Sequence, residues 1–558
     1  MALIQEVGFA LPFVFLGRLE NSSYVGAATV GNMLCNVTGF SLVYGASSAL
    51  DTLIPQAYGA KFYRLMGLHT QRAIVIFTLA AVPIIFMWMQ TGWILQNLLT
   101  LDAEISKLAQ IWANYISLGL WPQIVFVILQ KFLQGQQIIW PSVVASMAGI
   151  ISYAVMAFVV IEVWNYRDMD GYIAVVLIMS LSQWFALFVI VLIILVRKVC
   201  IFYLKTWGNA GRGKYSAVMD RSHRGGQGMD VRDNATAEDI DEDGEEEDNT
   251  IAQESDPENN WPPFSINIFM DWESFLTLGL PGAASLFFEW GSFELVAGIA
   301  GQLGTLTLAT HGIMTSTCGI FYTAPNSIAV ATSTLAGNCL GENLPREACM
   351  FVYIGVFIDF CWGVGSALIL IGLLREYWGK VYTDEKDLQE SIFINLPIML
   401  LYLPVDSTKC VAVTLLRNMG RPGITVTGNI ISSVFLMLPL GYFLAIHLGY
   451  GLPGLWFAMS MSWVMATVLY MYVICSTEWQ KECHLARERN ETTNRTMVLA
   501  GRESEHKVVQ SGAIQGDIML TRISDVDSPA EVDIPFMVDS DEEDGDETLV
   551  FSISPLKV

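Results

Sequence analysis

Three acids and one lysine sit inside stretches otherwise apolar enough for hydrocarbon, and these residues have the most chemistry to offer. LPGAASLFFEWGSFELVAGIAG carries Glu289 and Glu294 in mid-stretch, and SIFINLPIMLLYLPVDSTKCVAVTLLRNMG carries Asp406 and Lys409. A charge at the centre of a membrane helix costs about 2.5–3.5 kcal/mol on insertion scales, so a residue kept there has a reason to be kept. Desolvation disfavours the charged form of a carboxyl, which lets such a group exchange a proton near neutral pH or hold a cation. That is the chemistry of a coupled exporter, in which proton and cationic cargo compete for one acid.

Their spacing assigns different roles. Glu289 has no opposite charge four residues away in its own segment, which favours function over a structural pair. Glu294 lies five residues on, about 140° round a helix, so the two glutamates do not share a face. Asp406 has Lys409 at i+3, so a neutralised structural pair is the rival reading there. Pro397 and Pro404 are expected to break the helix just before Asp406, and Pro325 the segment around it, freeing carbonyls to line a cavity or act as hinges. Trp290, Phe293, Tyr322 and Tyr402 offer an aromatic wall for an organic cation, with packing as the rival role for each.

Elements that position these groups follow from composition. The chain has 558 residues, of which 53% are hydrophobic and 15% charged; an ordinary soluble domain carries about 25% charge. Apolar runs of about 20 residues, enough to cross about 30 Å of hydrocarbon, recur twelve times and split six and six around a long polar insert. The expected fold is all-α and membrane-spanning: two pseudo-symmetric six-helix lobes at 1–200 and 271–475, a disordered cytosolic insert at 201–270 and a disordered cytosolic tail at 476–558. Run 7 spans 274–300, run 8 306–332, run 9 350–373 and run 10 391–416; on this reading runs 3–6, 8, 9, 11 and 12 carry no ionisable group comparable to those above. Run 1, near 1–17, is short and contains Glu6, so it is either truncated or a partial span, and it lacks the basic region and cleavage site of a signal peptide.

The net charge of −24 is local: residues 230–258 hold 14 acids and one base, residues 503–547 hold 14 acids and two bases, and the remainder is near neutral. Such segments bury too little apolar surface to order themselves. No basic footprint exists for nucleic acid. Nine cysteines without a CxxC pair and six scattered histidines suggest neither a disulfide framework nor a metal site. With both termini cytosolic, fifteen Lys and Arg near helix ends fall inside against six outside, which sets the orientation. The halves repeat: Gly17 and Gly301, Gly59 and Gly341, and Gly135 and Gly420 pair at offsets of 284, 282 and 285 residues. A duplicated six-helix unit with both copies pointing the same way suits alternating access.

At these residues the chain resembles the multidrug and toxic compound extrusion (MATE) family, eukaryotic branch. The resemblance rests on NVTGFSLVYGASSALDTLIPQAYGAK at the end of run 2, FLQGQQIIWP after run 4, FFEWGSFE in run 7 and DSTKCVAVTLLRNMGRP closing run 10, and it spans about residues 1–475. It implies a twelve-helix, two-lobe antiporter that exports organic cations, drugs or amphipathic metabolites in exchange for protons, or sodium in some members. Family acids correspond to Glu289, Glu294 and Asp406; Lys409, Trp290, Tyr322 and Asn36, which opens the run 2 motif, are secondary site candidates. Ser316 stands where some animal members carry another acid, and Lys409 beside Asp406 shifts preference toward anionic or zwitterionic cargo. The expectation is a monomeric, non-enzymatic carrier without a cofactor beyond its coupling ion, in the plasma membrane or a vacuolar or vesicular membrane. A lipid-linked sugar flippase of the same superfamily and a major-facilitator-type carrier are the alternatives.

Overall fold

The computed structural model describes residues 8, 11–20, 23–98, 101–223 (198–223 as backbone only), 261–262, 266–383 and 385–496. Among them the chain is helical throughout. A first helical segment, α1, occupies 11–16, and the remainder of run 1 lies outside the described residues. Then come α2 (Ser23–Gly59), α3 (Tyr63–Trp88), α4 (Ala103–Gly135), α5 (Trp140–Val163) and α6 (Met169–His223). The second lobe holds α7 (Trp272–Gln302), α8 (Thr305–Gly341), α9 (Pro345–Tyr382), α10 (Lys386–Asn418), α11 (Pro422–His447) and α12 (Gly451–Cys475). Ten of these helices are long and apolar enough to cross a membrane. The 37-residue α8 is the polar exception, its sequence punctuated by Thr, Ser, Asn and Gly.

Two sequence-based boundaries need correction. Helix α6 continues without a break to His223, so the first part of the insert expected at 201–270 has helical backbone; its acidic stretch at 230–258 lies outside the described residues. Residues 479–496, placed in the tail, form a thirteenth helix, α13, whose Cys483, Ala486 and Asn490 are buried; the acidic tail at 503–547 also lies outside the described residues. Pro325 and Pro404 do not break their helices: α8 runs through Pro325 and α10 through Pro404, while Pro397 sits in a single 3-10 turn, Leu396–Ile398.

The internal repeat is visible in backbone geometry. Lys61 and Asn343, 282 residues apart, are both left-handed (φ 65° and 62°) and terminate α2 and α8 alike, with Phe62 N donating to Ala57 O and Leu344 N to Cys339 O. Such left-handed C-caps satisfy the last helical carbonyls. After α4 and α10 the left-handed residues are Gln137 and Gly420, closed by Ile138 N to Leu133 O and Arg421 N to Leu416 O, 2.9 Å each. Gly420 therefore aligns with Gln137, not with Gly135, and Gly135 serves instead to admit Ile54 of α2.

The lobes meet along one seam. Helix α2 crosses α7 where Gly45 faces Gly282; a Cβ on Gly45 would lie 2.6 Å from Ala283 Cα. At the Gly59 end the seam is hydrogen-bonded: Gln56 Nε2 donates to Asn418 O (3.0 Å), Asn418 Nδ2 to Asp51 O (2.6 Å) and Thr52 Oγ1 to Arg417 O. Helix α13 closes it from outside. Its Arg489 Nη1 donates to Gln56 Oε1 at 2.6 Å, and Arg421 pairs with the buried Glu482. Burial holds the Arg489 guanidinium below its ordinary value against the pull of Glu482, and burial pushes the neighbouring Cys483 thiol up to about 11. A hydrogen bond to a charged group contributes about 1.5–3 kcal/mol, so Arg489→Ala is expected to raise the labelling rate of a cysteine placed at Thr52 by about tenfold or more. Labelling with a membrane-impermeant thiol reagent measures it.

Candidate functional site

The site is built where α7, α10, α11 and α12 pack in the second lobe. Helix α7 presents Ser285 and Glu289 on one face, one turn apart; α10 presents Lys409, α11 Asn429 and α12 Trp463 and Tyr470. Lys409 Nζ donates to Glu289 Oε1 at 2.7 Å, and Asn429 Nδ2 donates to Glu289 Oε2 at 2.8 Å. The Lys409 side chain is 4% exposed and that of Glu289 18%. The ammonium lies 3.5 Å from the centroid of the Trp463 ring, so it is held between a carboxylate and a π face. Asn429 is itself fixed, donating also to Ser285 Oγ (2.9 Å) and accepting from Tyr470 OH (2.8 Å), and Arg417 Nη2 donates to the same Ser285 Oγ at 3.1 Å.

Asn429 is the hinge of this network. Asn429→Ala would leave Glu289 Oε2 without its amide donor and is expected to cost about 1–3 kcal/mol, with the Tyr470 hydroxyl keeping Thr425 O at 3.1 Å, whereas Tyr470→Phe, which removes the bonds to Asn429 Oδ1 and Thr425 O but strands no donor, should cost about 0.5–1.5 kcal/mol. Thermal unfolding of the purified protein in detergent ranks the two.

The lysine partnership differs from the sequence-based expectation. Spacing alone pairs Lys409 with Asp406 and leaves Glu289 solitary; packing of α10 against α7 gives the lysine to Glu289 instead. Asp406 has no ion pair among the described residues. It lies within electrostatic reach of Lys409 and Glu289, and the Trp463 indole N–H, which donates to Tyr402 OH at 3.1 Å, is beside it. Glu294 is partly exposed and has no ion pair or hydrogen bond among the described residues; its neighbour Phe293 packs edge-on to Trp463 at 5.6 Å. Tyr322 accepts from Cys410 Sγ at 3.3 Å and lies within reach of Glu289 and Asp406, so it joins the site.

Two candidates stand apart from the acids. Trp290 turns toward the first lobe, 6.2 Å from the Tyr44 ring, and Tyr44 OH accepts from Gln123 Nε2 at 2.7 Å. Beyond Tyr44 opens a cavity of the first lobe lined by Gln123, Ser146, Tyr153, Ser182 and Gln183, with no carboxylate on its wall among the described residues. Asn36 begins a π-helical stretch of α2, Asn36–Phe40, next to Val37, which approaches Gly291 of α7. π-Bulges of this kind recur at functional sites. Ser316 is exposed.

Sequence reasoning passed over several residues. Asn429 was legible as a lone amide within an apolar run; Tyr470 and Trp463 were indistinguishable from other aromatics. The expectation that run 9 carries no comparable ionisable group is incorrect: Asp359 lies at its centre and is fully buried.

Comparison with known proteins agrees along the chain. The MatE family model matches residues 1–159 and 281–443. Protein DETOXIFICATION 16 of Arabidopsis thaliana is 27% identical over 501 residues, covering 88% of this chain and 89% of its own length. Human multidrug and toxin extrusion protein 1 is 24% identical, covering 87% and 74%. The crystal structure of the eukaryotic MATE transporter AtDTX14 superposes with a TM-score of 0.71 at 23% identity, covering 88% of this chain and 96% of its own.

Proposed function

The chain belongs to the MatE family of multidrug and toxin extrusion transporters, and on that premise we propose that it exports organic cations or amphipathic metabolites in exchange for protons. The observation that carries this reading is one ammonium held by one of two nearby carboxylates, Glu289 and Asp406. With Glu289 ionised, Lys409 is bound to it and Asp406 is left as the acid available to a cationic cargo. A proton reaching Glu289 removes the charge that holds Lys409; the lysine then serves Asp406, three residues back on the same helix face, and the cargo loses its counter-ion. Proton and cation thus compete without meeting at the same atom. This account answers the expectation that Lys409 turns the site toward anions, because the lysine is committed to Glu289.

The excess of Lys and Arg near the α2, α8 and α10 C-terminal ends supports a cytosolic position for the closed seam and for both termini, in either the plasma membrane or a vacuolar or vesicular membrane. We take the working unit to be a monomer and the coupling ion to be the proton, with sodium as the rival. Purified protein in liposomes, given a panel of organic cations and flavonoid-like anions under imposed pH or sodium gradients, is expected to accumulate cations in response to the pH gradient alone. Uptake driven by sodium without a pH gradient, or confined to anions, would contradict the proposal.

A further inference from the structure

Asp359 lies nine residues into the apolar run 350–373 of α9, about 14 Å from its start at 1.5 Å per residue, which is close to half of a hydrocarbon layer about 30 Å thick. It is fully buried, and neither carboxyl oxygen has a hydrogen-bond partner among the described residues. Its direction is set by two glycines on the same helix face. Gly355, one turn before, abuts Thr332 of α8; Gly363, one turn after, is so close to α10 that a Cβ there would lie 2.6 Å from Pro404 Cα and 2.8 Å from Ser407 Oγ. Asp359 therefore points into the junction of α8, α9 and α10, one turn from the contact of α9 with Pro404 of α10.

We propose that Asp359 is a second proton-binding site of this carrier, which carries a proton while the α8–α9–α10 junction is closed and releases it when that junction opens to water. A carboxylate enclosed without a donor loses its hydration for nothing in return, so the closed packing and the ionised group exclude each other. The titratable group of α10 facing it is the Cys410 thiol, which is engaged with Tyr322 of α8. No charged residue of α8, α9 or α10 reaches it among the described residues, and Lys409 of α10 is bound to Glu289. Pro404 lacks the N–H that would tie it to the preceding turn, so α10 can flex where it touches Gly363, and flexing there uncovers Asp359. By linkage, whatever opens the junction lowers proton affinity at Asp359, and raising the pH favours opening. This site is separate from the Glu289 exchange and does not depend on it.

The test uses the full chain in lipid nanodiscs with Glu289→Gln as background, so that proton exchange at Glu289 cannot contribute. Infrared difference spectra across a pH titration are expected to contain a protonated-carboxyl band that disappears in Asp359→Asn and returns in Asp359→Glu. In the otherwise native protein, Asp359→Asn should displace the pH of half-maximal transport by about one unit, tenfold in proton concentration. Asp359→Leu, which keeps the junction apolar, should show the same displacement. Spectra of parent and Asp359→Asn that superimpose, or an Asp359→Leu protein with the native pH profile, would overturn the proposal.

Discussion

Glu289→Gln is expected to abolish proton-driven cation uptake, and Lys409→Met to damage the protein more than its loss of charge suggests. Removing one partner of a buried ion pair costs about 3–5 kcal/mol, because the other charge is left without compensation, while replacing both by neutral groups is near neutral. The pair here is enclosed on the lysine side, and Asn429 satisfies the second carboxylate oxygen. The two singles should not be equal. In Glu289→Gln the stranded ammonium still faces the Trp463 ring and has Asp406 three residues away, which places the cost near the lower limit. In Lys409→Met the Glu289 carboxylate keeps only Asn429, with the Arg417 guanidinium one hydrogen bond away at Ser285. The double variant Glu289→Gln/Lys409→Met should recover most of the stability and none of the coupled transport. Thermal unfolding of the four proteins, with uptake measured in liposomes, closes the cycle. Additive losses of stability would show that the two residues do not act as a pair, and full proton-driven uptake in Glu289→Gln would remove Glu289 from the coupling.

Gly282→Leu carries the second large effect. The α2–α7 crossing brings backbone to backbone, with Gly282 against Gly45 O and Ser48 Oγ, so a side chain there has no space and neither neighbour is a flexible chain end. Overpacking a close contact costs about 1–3 kcal/mol when the surroundings can shift. Here the only relief is to part the lobes, which would break the bonds from Gln56 and Asn418 farther along the seam. The substituted protein is therefore expected to leave the arrangement closed at the Gly59 end by about tenfold or more in population and to transport poorly in consequence. A distance measured by paired spin labels on α3 and α9 should lengthen at that end. An unchanged distance with normal transport would mean that the crossing does not gate the seam.

Much of this protein was legible in order of residues alone. Runs of about 20 apolar residues dictate transmembrane helices because a backbone in hydrocarbon must satisfy its own hydrogen bonds. The repeat was visible from Gly59 and Gly341, since a chain that reverses direction twice in the same manner needs the same turn, and the left-handed Lys61 and Asn343 occupy it. The third pairing failed by two residues, because a glycine that admits a neighbouring helix, Gly135, reads the same as one that ends a helix, Gly420. Glu289 and Asp406 stood out because charges are rare where water is absent.

What tertiary packing alone decided is who partners whom. Spacing within a helix reports only neighbours on that helix, so Lys409 had to be matched with Asp406; the shorter contact, to Glu289 at 2.7 Å, comes from 120 residues earlier in the chain. The seam from Gln56 to Arg489 spans 433 residues and has no local signature. Asp359 illustrates the same division: its place in an apolar run is written in the chain, but the lack of a hydrogen-bond partner for it among the described residues is a property of three helices meeting, which no single stretch of residues encodes.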